Sequence, residues 1–421
     1  MRSSSTLPGR SVPLLAWSAV VLDGFDVVAL AVVFPVLLRT RVWDLTPASA
    51  SVIATIGLLG MAVGAIASSS LSARIGSKNA LIASVVCFSV GMALSALSPS
   101  AAVFTIFRFI TGVGLGGCLP IGVTMVAARR SQDHKSSSAT TTMMTGYPLG
   151  GVVCALLGIL MVPAFGWRSI FVVGAAPAVV LVPLMIRYLP RAAPVIEATN
   201  IRIEEHDHPD RDALAGLFRG RGLRATLAFW VASFMGLMLI YGLNTWLPQI
   251  MSAAGYSLGN SLGFLLTLNL GAIIGQFLGG WLADRRGARL ANISWFGGAA
   301  VFLAMFALPL PNVFLYVPLF LAGIFTFSSQ SLTYAYTQRF YPEHLRAAGV
   351  GWAAGVGRVG AMCGPLLGGA LLTIGVAYPW GFYIFALAGA LGALATWLVP
   401  KAYASTPKRK ADRQRALEAS E

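Results

Sequence analysis

Twelve apolar segments of about 20 residues follow one another along the chain, and this pattern constrains the fold more than any other feature. A helix that crosses a bilayer needs about 20 mostly apolar residues, whereas the strands of a membrane barrel alternate over about ten residues. We therefore predict an all-α membrane protein with twelve transmembrane helices. The predicted spans are 12–37, 48–71, 79–97, 101–127, 138–162, 167–189, 225–251, 258–282, 291–308, 313–338, 347–374 and 379–399.

The composition agrees with a membrane protein and excludes several other classes. Of the 421 residues, 57% are hydrophobic and 11% are charged, whereas soluble domains carry about 25% charged residues. A disordered chain would be less hydrophobic and more highly charged, and the 46 glycines lack the period of collagen. The net charge of +15 is typical of nucleic-acid-binding proteins. The positions of the basic residues favour a membrane topology instead, and we expect no nucleic-acid partner.

Basic residues accumulate on one side of the predicted membrane. The side of the N-terminus carries most of them, including those of the loop 190–224 and of the tail 401–421. Because cytoplasmic loops are enriched in Lys and Arg, we expect a multi-pass protein of the plasma (inner) membrane with both termini in the cytoplasm. The basic residues on the other side are Arg39, Arg41 and Arg168.

The long loop divides the chain into two six-helix parts that share a local sequence pattern. The segment 69–78 follows span 2, and the segment 280–289 follows span 8. Aligning Gly76 with Gly287 brings basic residues of the two segments into register, which is typical of a duplicated transporter. The aligned basic pairs are Arg74 with Arg285 and Lys78 with Arg289. The predicted parts are the first half 1–189, the linker 190–224, the second half 225–400 and the tail 401–421.

Four charged residues lie deep inside apolar spans, away from the span ends. Asp23 and Asp26 are deep in span 1, spaced i, i+3 on one helix face, while Arg108 and Arg358 lie in spans 4 and 11. An unpaired charge there costs at least about 2.5–3.5 kcal/mol, so each must be protonated, paired or facing a water-filled cavity. One interpretation is that the carboxylates and arginines hold helices together. The other, which we favour, is proton or substrate coupling.

Other motifs do not predict a metal or cofactor site. The acidic and histidine residues 204–208 belong to a charged, Pro-containing linker, so a solvated linker is favoured over a metal cluster. The glycine-rich segment 112–117 lies inside an apolar helix with no preceding strand, so it predicts close helix packing rather than a dinucleotide loop. The four cysteines sit singly in apolar runs.

The sequence resembles the major facilitator superfamily and, more narrowly, the aromatic acid:proton symporters. The resemblance covers essentially the whole chain, and it rests on the Asp-Gly-Phe-Asp box of span 1 together with the loop signature after span 8. The stretches that carry it are 23–26, 108–120, 246–248, 280–289 and 341–358. It implies proton-driven import of a benzoate-type acid by alternating access, with a small aromatic carboxylate and protons as partners, in the bilayer and as a monomer.

The site predictions combine this resemblance with the need of an anionic substrate for a cation and an aromatic lining. We expect Arg358 to contact the substrate carboxylate, and Arg108 to pair with Asp26 as the proton-responsive pair, with Asp23 tuning access. Further substrate-binding candidates are Phe25, Asn244, Trp246, Gln330, Tyr334 and Trp352, and the gating candidates are Arg74, Lys78, Asp284, Arg285 and Arg289.

Two departures from the family pattern concern the gate. The first loop signature has Ala73 where the family has an acidic residue, and Ser69 where it has glycine. After span 4, Arg129 or Arg130 occupies a position where an acidic residue is expected.

Three alternative functions remain open at this point. A proton-coupled exporter of drugs or small metabolites would have the same architecture. A non-transporting membrane ligand sensor would be expected to carry a signalling domain, and the tail is short and basic. A membrane enzyme would need a nucleophile–base set or a His/Cys/Glu cluster in the spans, so we predict that the protein is not an enzyme.

Overall fold

The computed structural model describes residues 11–130, 144–189, 217–218, 221–306 and 312–400, and all regular elements in these ranges are helical. A single 3-10 turn, Val42–Asp44, follows the first helix. The α-helices are α1 (Ser11–Arg39), α2 (Pro47–Ala96), α3 (Ala101–Arg130), α4 (Gly146–Phe165), α5 (Arg168–Ala175), α6 (Ala178–Tyr188), α7 (Arg221–Ala253), α8 (Leu258–Arg286), α9 (Ala288–Phe306), α10 (Asn312–Phe340), α11 (Glu343–Thr373) and α12 (Trp380–Leu398).

Two irregularities bring this set of helices to twelve spans. Helix α2 has 50 residues, about 75 Å of helix, which is more than twice the thickness of a hydrocarbon core. Gly76 has non-helical angles inside it and divides it into two spans. Conversely, α5 and α6 are one span interrupted at Pro177, which lacks the N–H that a continuous helix needs. The prediction of twelve helical spans is confirmed.

The repeated loop signature has the same backbone geometry in both halves. Gly76 has φ 79° and ψ 151°, and Gly287 has φ 89° and ψ 146°. Side chains disfavour this region, whereas glycine enters it freely. The alignment made from the sequence therefore corresponds to a structural repeat. We call this end of the helix bundle the signature end, and the end that carries Trp43 and Trp167 the opposite end.

Helix packing explains the glycine-rich segment 112–117. A Cβ atom on Gly112 or Gly116 would collide with the backbone of α2, and one on Gly60 or Gly64 would collide with the backbone of α3. Small residues on both partners thus let α2 and α3 approach closely, as in membrane helix pairs. The expected close packing is confirmed.

The predicted linker 190–224 and tail 401–421 lie almost entirely outside the described residues. The boundaries assigned to the halves therefore stay predictions. The linker segment 204–208 and residues 138–143 of the predicted fifth span also lie outside the described residues, as do the side chains of Arg129 and Arg130.

Candidate functional site

A buried ion pair joins α1 to α3 near the middle of the bundle. Both terminal nitrogens of Arg108 donate to Asp26, Nη1 to Oδ1 and Nη2 to Oδ2, each at 2.6 Å. The two residues are 3% and 1% exposed, and the Arg108 guanidinium also lies 5.8 Å from the ring centroid of Phe171 on α5. This two-point geometry is the strongest form of an arginine–carboxylate contact. The predicted pairing of Asp26 with Arg108 is present.

A small cavity of about 30 Å³ lies beside this pair. Residues of four helices line it. They include Asp26 of α1, Met61 of α2, Arg108 of α3, and Tyr241 and Thr245 of α7. Since α7 belongs to the second half, the cavity lies between the halves. Its volume suits a water molecule rather than an aromatic ring, so a substrate would need the halves to separate here.

The second carboxyl group of α1 has different surroundings. Asp23 is 1% exposed, and within the described part of the chain neither of its oxygens has a hydrogen-bond partner. It lies within electrostatic range of Arg358 on α11. The Nη1 atom of Arg358 is 4.0 Å from the sulfur of Met61, which lines the cavity, so Arg358 contacts a residue of the cavity wall. Asp23 and Arg358 thus form a looser charge pair across the two halves.

Three tyrosines surround this charge pair. Tyr147 of α4, Tyr241 of α7 and Tyr334 of α10 all lie within electrostatic range of Arg358. Tyr334 was among the predicted residues, whereas Tyr147 and Tyr241 were not. Tyr241 lies one helical turn before Thr245, which also lines the cavity, but a phenol in an apolar span carries no charge to single it out. The surroundings of Arg358 are therefore aromatic as well as charged.

Three other predicted substrate contacts are not among the residues that line the cavity. Trp246 is fully buried and donates through Nε1 to the carbonyl of Pro365 at 2.7 Å. The ring of Phe25 packs towards Gly174 inside the first half. Trp352 is 44% exposed and stacks on Trp230, with ring centroids 5.5 Å apart. Sequence spacing located these residues on the right helices but did not determine the direction of their rings.

The two predicted residues with side-chain amides, Asn244 and Gln330, form hydrogen bonds between helices. Asn244 accepts a hydrogen bond from Asn269 of α8 at 3.2 Å, and Gln330 of α10 donates to Ser233 of α7 at 2.9 Å. All four side chains are buried. Neither predicted amide lines the cavity, so their role in this structure is to join helices.

The contacts of the predicted gating residues lie within one half each. Asp284 pairs with Arg339 at 2.6 Å, both side chains being more than half exposed, and Arg285 lies over the ring of Trp281 at 4.5 Å. Arg74 is exposed. Lys78 donates to the carbonyls of Ile186 and Leu189 at the end of α6, and Arg289 donates to that of Trp397 at the end of α12. The aligned residues Lys78 and Arg289 therefore make the same kind of contact in the two halves.

The halves meet closely towards the opposite end. Phe34 of α1 stacks on Trp246 of α7 with ring centroids 5.5 Å apart, and the Thr55 hydroxyl donates to the Met362 carbonyl at 3.4 Å. A Cβ atom on Gly369 would collide with the Ser51 hydroxyl. These contacts join α1 to α7 and α2 to α11 across the boundary between the halves.

Comparisons with known proteins agree with this architecture. The family model for the Major Facilitator Superfamily matches residues 16–360 and, in a second match, 269–420. The chain is 37% identical to the gentisate transporter of Corynebacterium glutamicum, over 91% of this chain and 85% of that protein. It is 31% identical to the benzoate transport protein of Acinetobacter baylyi, over 92% of this chain and 89% of that protein.

A solved structure supports the same fold. The D-xylose-proton symporter has a TM-score of 0.75 to this chain at 18% identity, covering 93% of this chain and 98% of its own. The match to the family model spans most of the chain, and two relatives above 30% identity cover nearly all of it. The chain therefore belongs to the Major Facilitator Superfamily and is a membrane transporter rather than an enzyme.

Proposed function

We propose that the protein is a proton-coupled secondary active transporter that imports an aromatic carboxylic acid by alternating access. The observation that carries this proposal is the position of Arg358, a partly buried guanidinium in contact with the cavity-lining Met61 and within electrostatic range of Asp23 and of three tyrosines. An anion that enters a low-dielectric site needs a cation, and an aromatic ring needs apolar and aromatic walls. Arg358 and its tyrosines supply both.

The substrate class is a benzoate-type acid. The planar guanidinium of Arg358 matches a carboxylate at two points, which a lysine would not do. Two relatives with high coverage are named as transporters of gentisate and of benzoate, and both compounds are aromatic carboxylates. We extend that substrate class to this chain, with Arg358 as the contact to the carboxylate.

Proton coupling is assigned to the carboxyl groups of α1. Asp23 and Asp26 are both 1% exposed, and intramembrane carboxylates are the usual proton carriers of transporters. One proton that moves with one monoanion is electroneutral, so uptake should follow the pH gradient rather than the voltage. A gradient of one pH unit stores about 1.4 kcal/mol per proton, which corresponds to about tenfold accumulation.

The topology follows from the distribution of basic residues. We propose that the signature end, both termini and the linker 190–224 face the cytoplasm of a plasma (inner) membrane, because these parts carry most Lys and Arg residues. The opposite end, where Phe34 stacks on Trp246, then faces outwards. We propose a monomer as the working unit.

The test is uptake of radiolabelled benzoate, gentisate and 4-hydroxybenzoate into proteoliposomes with an imposed pH gradient, acidic outside. We expect accumulation that collapses with a protonophore and changes little when the membrane potential is altered at constant pH gradient. Accumulation only under the reverse gradient would identify the exporter function instead. Binding without any transport would identify a ligand sensor.

Arg358→Lys is the matched variant for the substrate contact. It keeps the charge but loses the planar fork, so substrate affinity should fall. Arg187→Lys is its control, because Arg187 lies over the ring of Tyr188 at 5.7 Å and is not one of the predicted site residues. Unchanged substrate binding in Arg358→Lys would exclude Arg358 as the carboxylate contact.

A further inference from the structure

The two carboxyl groups of α1 differ in what they are bonded to. Asp26 uses both oxygens in 2.6 Å hydrogen bonds with Arg108. Asp23, one turn earlier on the same helix face, has no hydrogen-bond partner among the described residues, although it is equally buried. A buried carboxylate without a hydrogen-bonded partner is costly. A proton bound to Asp23 would neutralise this carboxylate, which no hydrogen bond from the described residues stabilises. Asp23 is therefore a suitable position for proton binding.

Arg358 likewise has unused hydrogen-bonding capacity. In the described part of the chain, its hydrogen-bond contact is the 4.0 Å approach of Nη1 to the sulfur of Met61, which is a weak acceptor. A guanidinium has five N–H donors, so most of its capacity is available to a ligand. Asp23 lies within electrostatic range but makes no direct hydrogen bond to it.

We propose that Asp23, and not Asp26, is the carboxyl group at which proton and substrate are exchanged, by competing with the substrate carboxylate for Arg358. The proposal rests on the proposed function. An incoming proton from water binds the Asp23 carboxylate and makes it neutral, so Arg358 is free to pair with the carboxylate of the substrate. After the substrate leaves, Asp23 returns its proton to water, and its charge again balances that of Arg358.

Asp26 is unsuited to this exchange. Protonating it would break two charge-assisted hydrogen bonds and leave Arg108, 3% exposed, as a buried charge without its partner. Asp26 and Arg108 also lie in the same half, on α1 and α3, so the pair can move as one unit. Asp23 and Arg358 lie on α1 and α11, in different halves, so their interaction changes when the halves move apart. The proposal therefore gives Asp23 the proton-binding role that the sequence led us to expect of Asp26.

The groups around Asp23 come from several helices. Arg358 is the cation among them, and the remaining groups are a carboxylate, a thiol and two phenols. No second cation in this set would balance Asp23 while Arg358 holds the substrate, so a proton has to do so. The titratable and charged groups within electrostatic range of Asp23 are Asp26 of α1, Cys118 of α3, Tyr147 of α4, Tyr241 of α7 and Arg358 of α11.

The test is the pH dependence of benzoate binding to the purified full-length protein in nanodiscs, between about pH 5 and pH 8, where benzoate stays an anion. In the parent protein, the affinity for benzoate should fall as the pH rises through the range in which Asp23 ionises, by up to about tenfold per pH unit. In Asp23→Asn it should be independent of pH and close to the value of the parent at low pH. Asp26→Asn, the matched change on the same helix face, should keep the pH slope whatever its affinity.

Proton movement gives a second readout. Proteoliposomes with Asp23→Asn should exchange internal for external benzoate while an enclosed pH dye records no proton entry. If this variant does not purify as a monodisperse protein, Asp23→Ser is measured and interpreted in the same way. A pH slope that survives in the Asp23 variants, or one that disappears in Asp26→Asn alone, would overturn the inference. A parent protein that binds neither benzoate nor gentisate at any pH would instead overturn the proposed function.

Discussion

Phe34 and Trp246 stack across the boundary between the halves, with ring centroids 5.5 Å apart and ring planes inclined by 26°. Phe34 lies near the end of α1, and both side chains are fully buried. The indole N–H of Trp246 is satisfied by the Pro365 carbonyl of α11. In the proposed alternating-access cycle, this contact separates when the opposite end opens. We therefore expect the pair to help hold that end closed.

Gly369→Val is expected to favour opening at the opposite end. A side chain there would collide with Ser51 of α2, and overpacking costs about 1–3 kcal/mol, equivalent to a shift of about 5- to 150-fold between two states. The measurement uses a variant free of native cysteines with Thr245→Cys, a cavity-lining position. Labelling of this cysteine by an impermeant maleimide from the opposite side should become faster in Gly369→Val.

Gly297→Val is the control for this experiment. It introduces the same side chain into α9, where a Cβ atom meets no atom within 4 Å. Labelling in the control should match that of the parent. Equal labelling rates in both glycine variants would mean that the contact of Ser51 with Gly369 does not hold the opposite end closed.

Asp284→Asn should reduce transport and leave thermal stability nearly unchanged. The pair with Arg339 is 73% exposed at Asp284 and 52% at Arg339, and exposed ion pairs contribute about 0–1 kcal/mol. Thermal unfolding should therefore change little, whereas the rate of uptake should fall strongly if this acidic group is needed for closure of the signature end. Ala73→Asp, the aligned position in the first half, should alter turnover more than substrate affinity. Parent-like uptake by Asp284→Asn would remove this residue from the gate.

Lys78→Met is expected to destabilise the first half. The ammonium donates to the Ile186 and Leu189 carbonyls at 2.6 and 2.8 Å, and cations at a helix C-terminus are favourable. The substitution should lower the free energy of unfolding by about 1–2 kcal/mol, measured as a decrease in Tm. Arg74→Met in the same loop is the control, since Arg74 is exposed. Equal Tm values for both variants would contradict a bracing role for Lys78.

The fold was largely predictable because a bilayer imposes a minimum length on each apolar segment. The loop repeat was predictable as well, because glycine at Gly76 and Gly287 marks the same backbone geometry. The break at Pro177 was not predicted, and neither was the abrupt break at Gly76 that separates the two spans of α2. In both cases hydropathy gives the number of spans, while local backbone geometry decides where one helix ends and the next begins.

The site was predictable only where charge is visible in the sequence. Asp23, Asp26, Arg108 and Arg358 stand out in apolar spans. Spacing alone did not reveal that Asp23 has no hydrogen-bond partner among the residues that the structure describes, because its i, i+3 relation to Asp26 places both on one face. Trp246 packs against Phe34 and donates to the Pro365 carbonyl, which the sequence could not show, since periodicity defines a helix face and leaves the side-chain rotamer open. Its role as a substrate contact stays a prediction.

The topology can be checked independently of transport. The linker 190–224 carries several arginines and is proposed to be cytoplasmic. In a variant without native cysteines, Ala198→Cys in the linker should resist an impermeant maleimide added to intact cells and should react after permeabilisation. Leu97→Cys, at the C-terminus of α2 and 75% exposed at the opposite end, should react without permeabilisation. Labelling of Ala198→Cys in intact cells would invert the proposed orientation.

The ion pair of Asp26 with Arg108 should show strong coupling in a double-mutant cycle. Either Asp26→Asn or Arg108→Gln leaves one charge buried without its partner, which costs about 3–5 kcal/mol. The double variant removes both charges and keeps side chains that can still hydrogen-bond, so it should be more stable than the sum of the single changes predicts. Unfolding free energy in detergent is the measurement, and Asp23→Asn combined with Arg108→Gln is the control cycle, because Asp23 makes no hydrogen bond to Arg108. Additive effects in the Asp26 cycle would mean that the two hydrogen bonds at 2.6 Å do not fix α1 against α3.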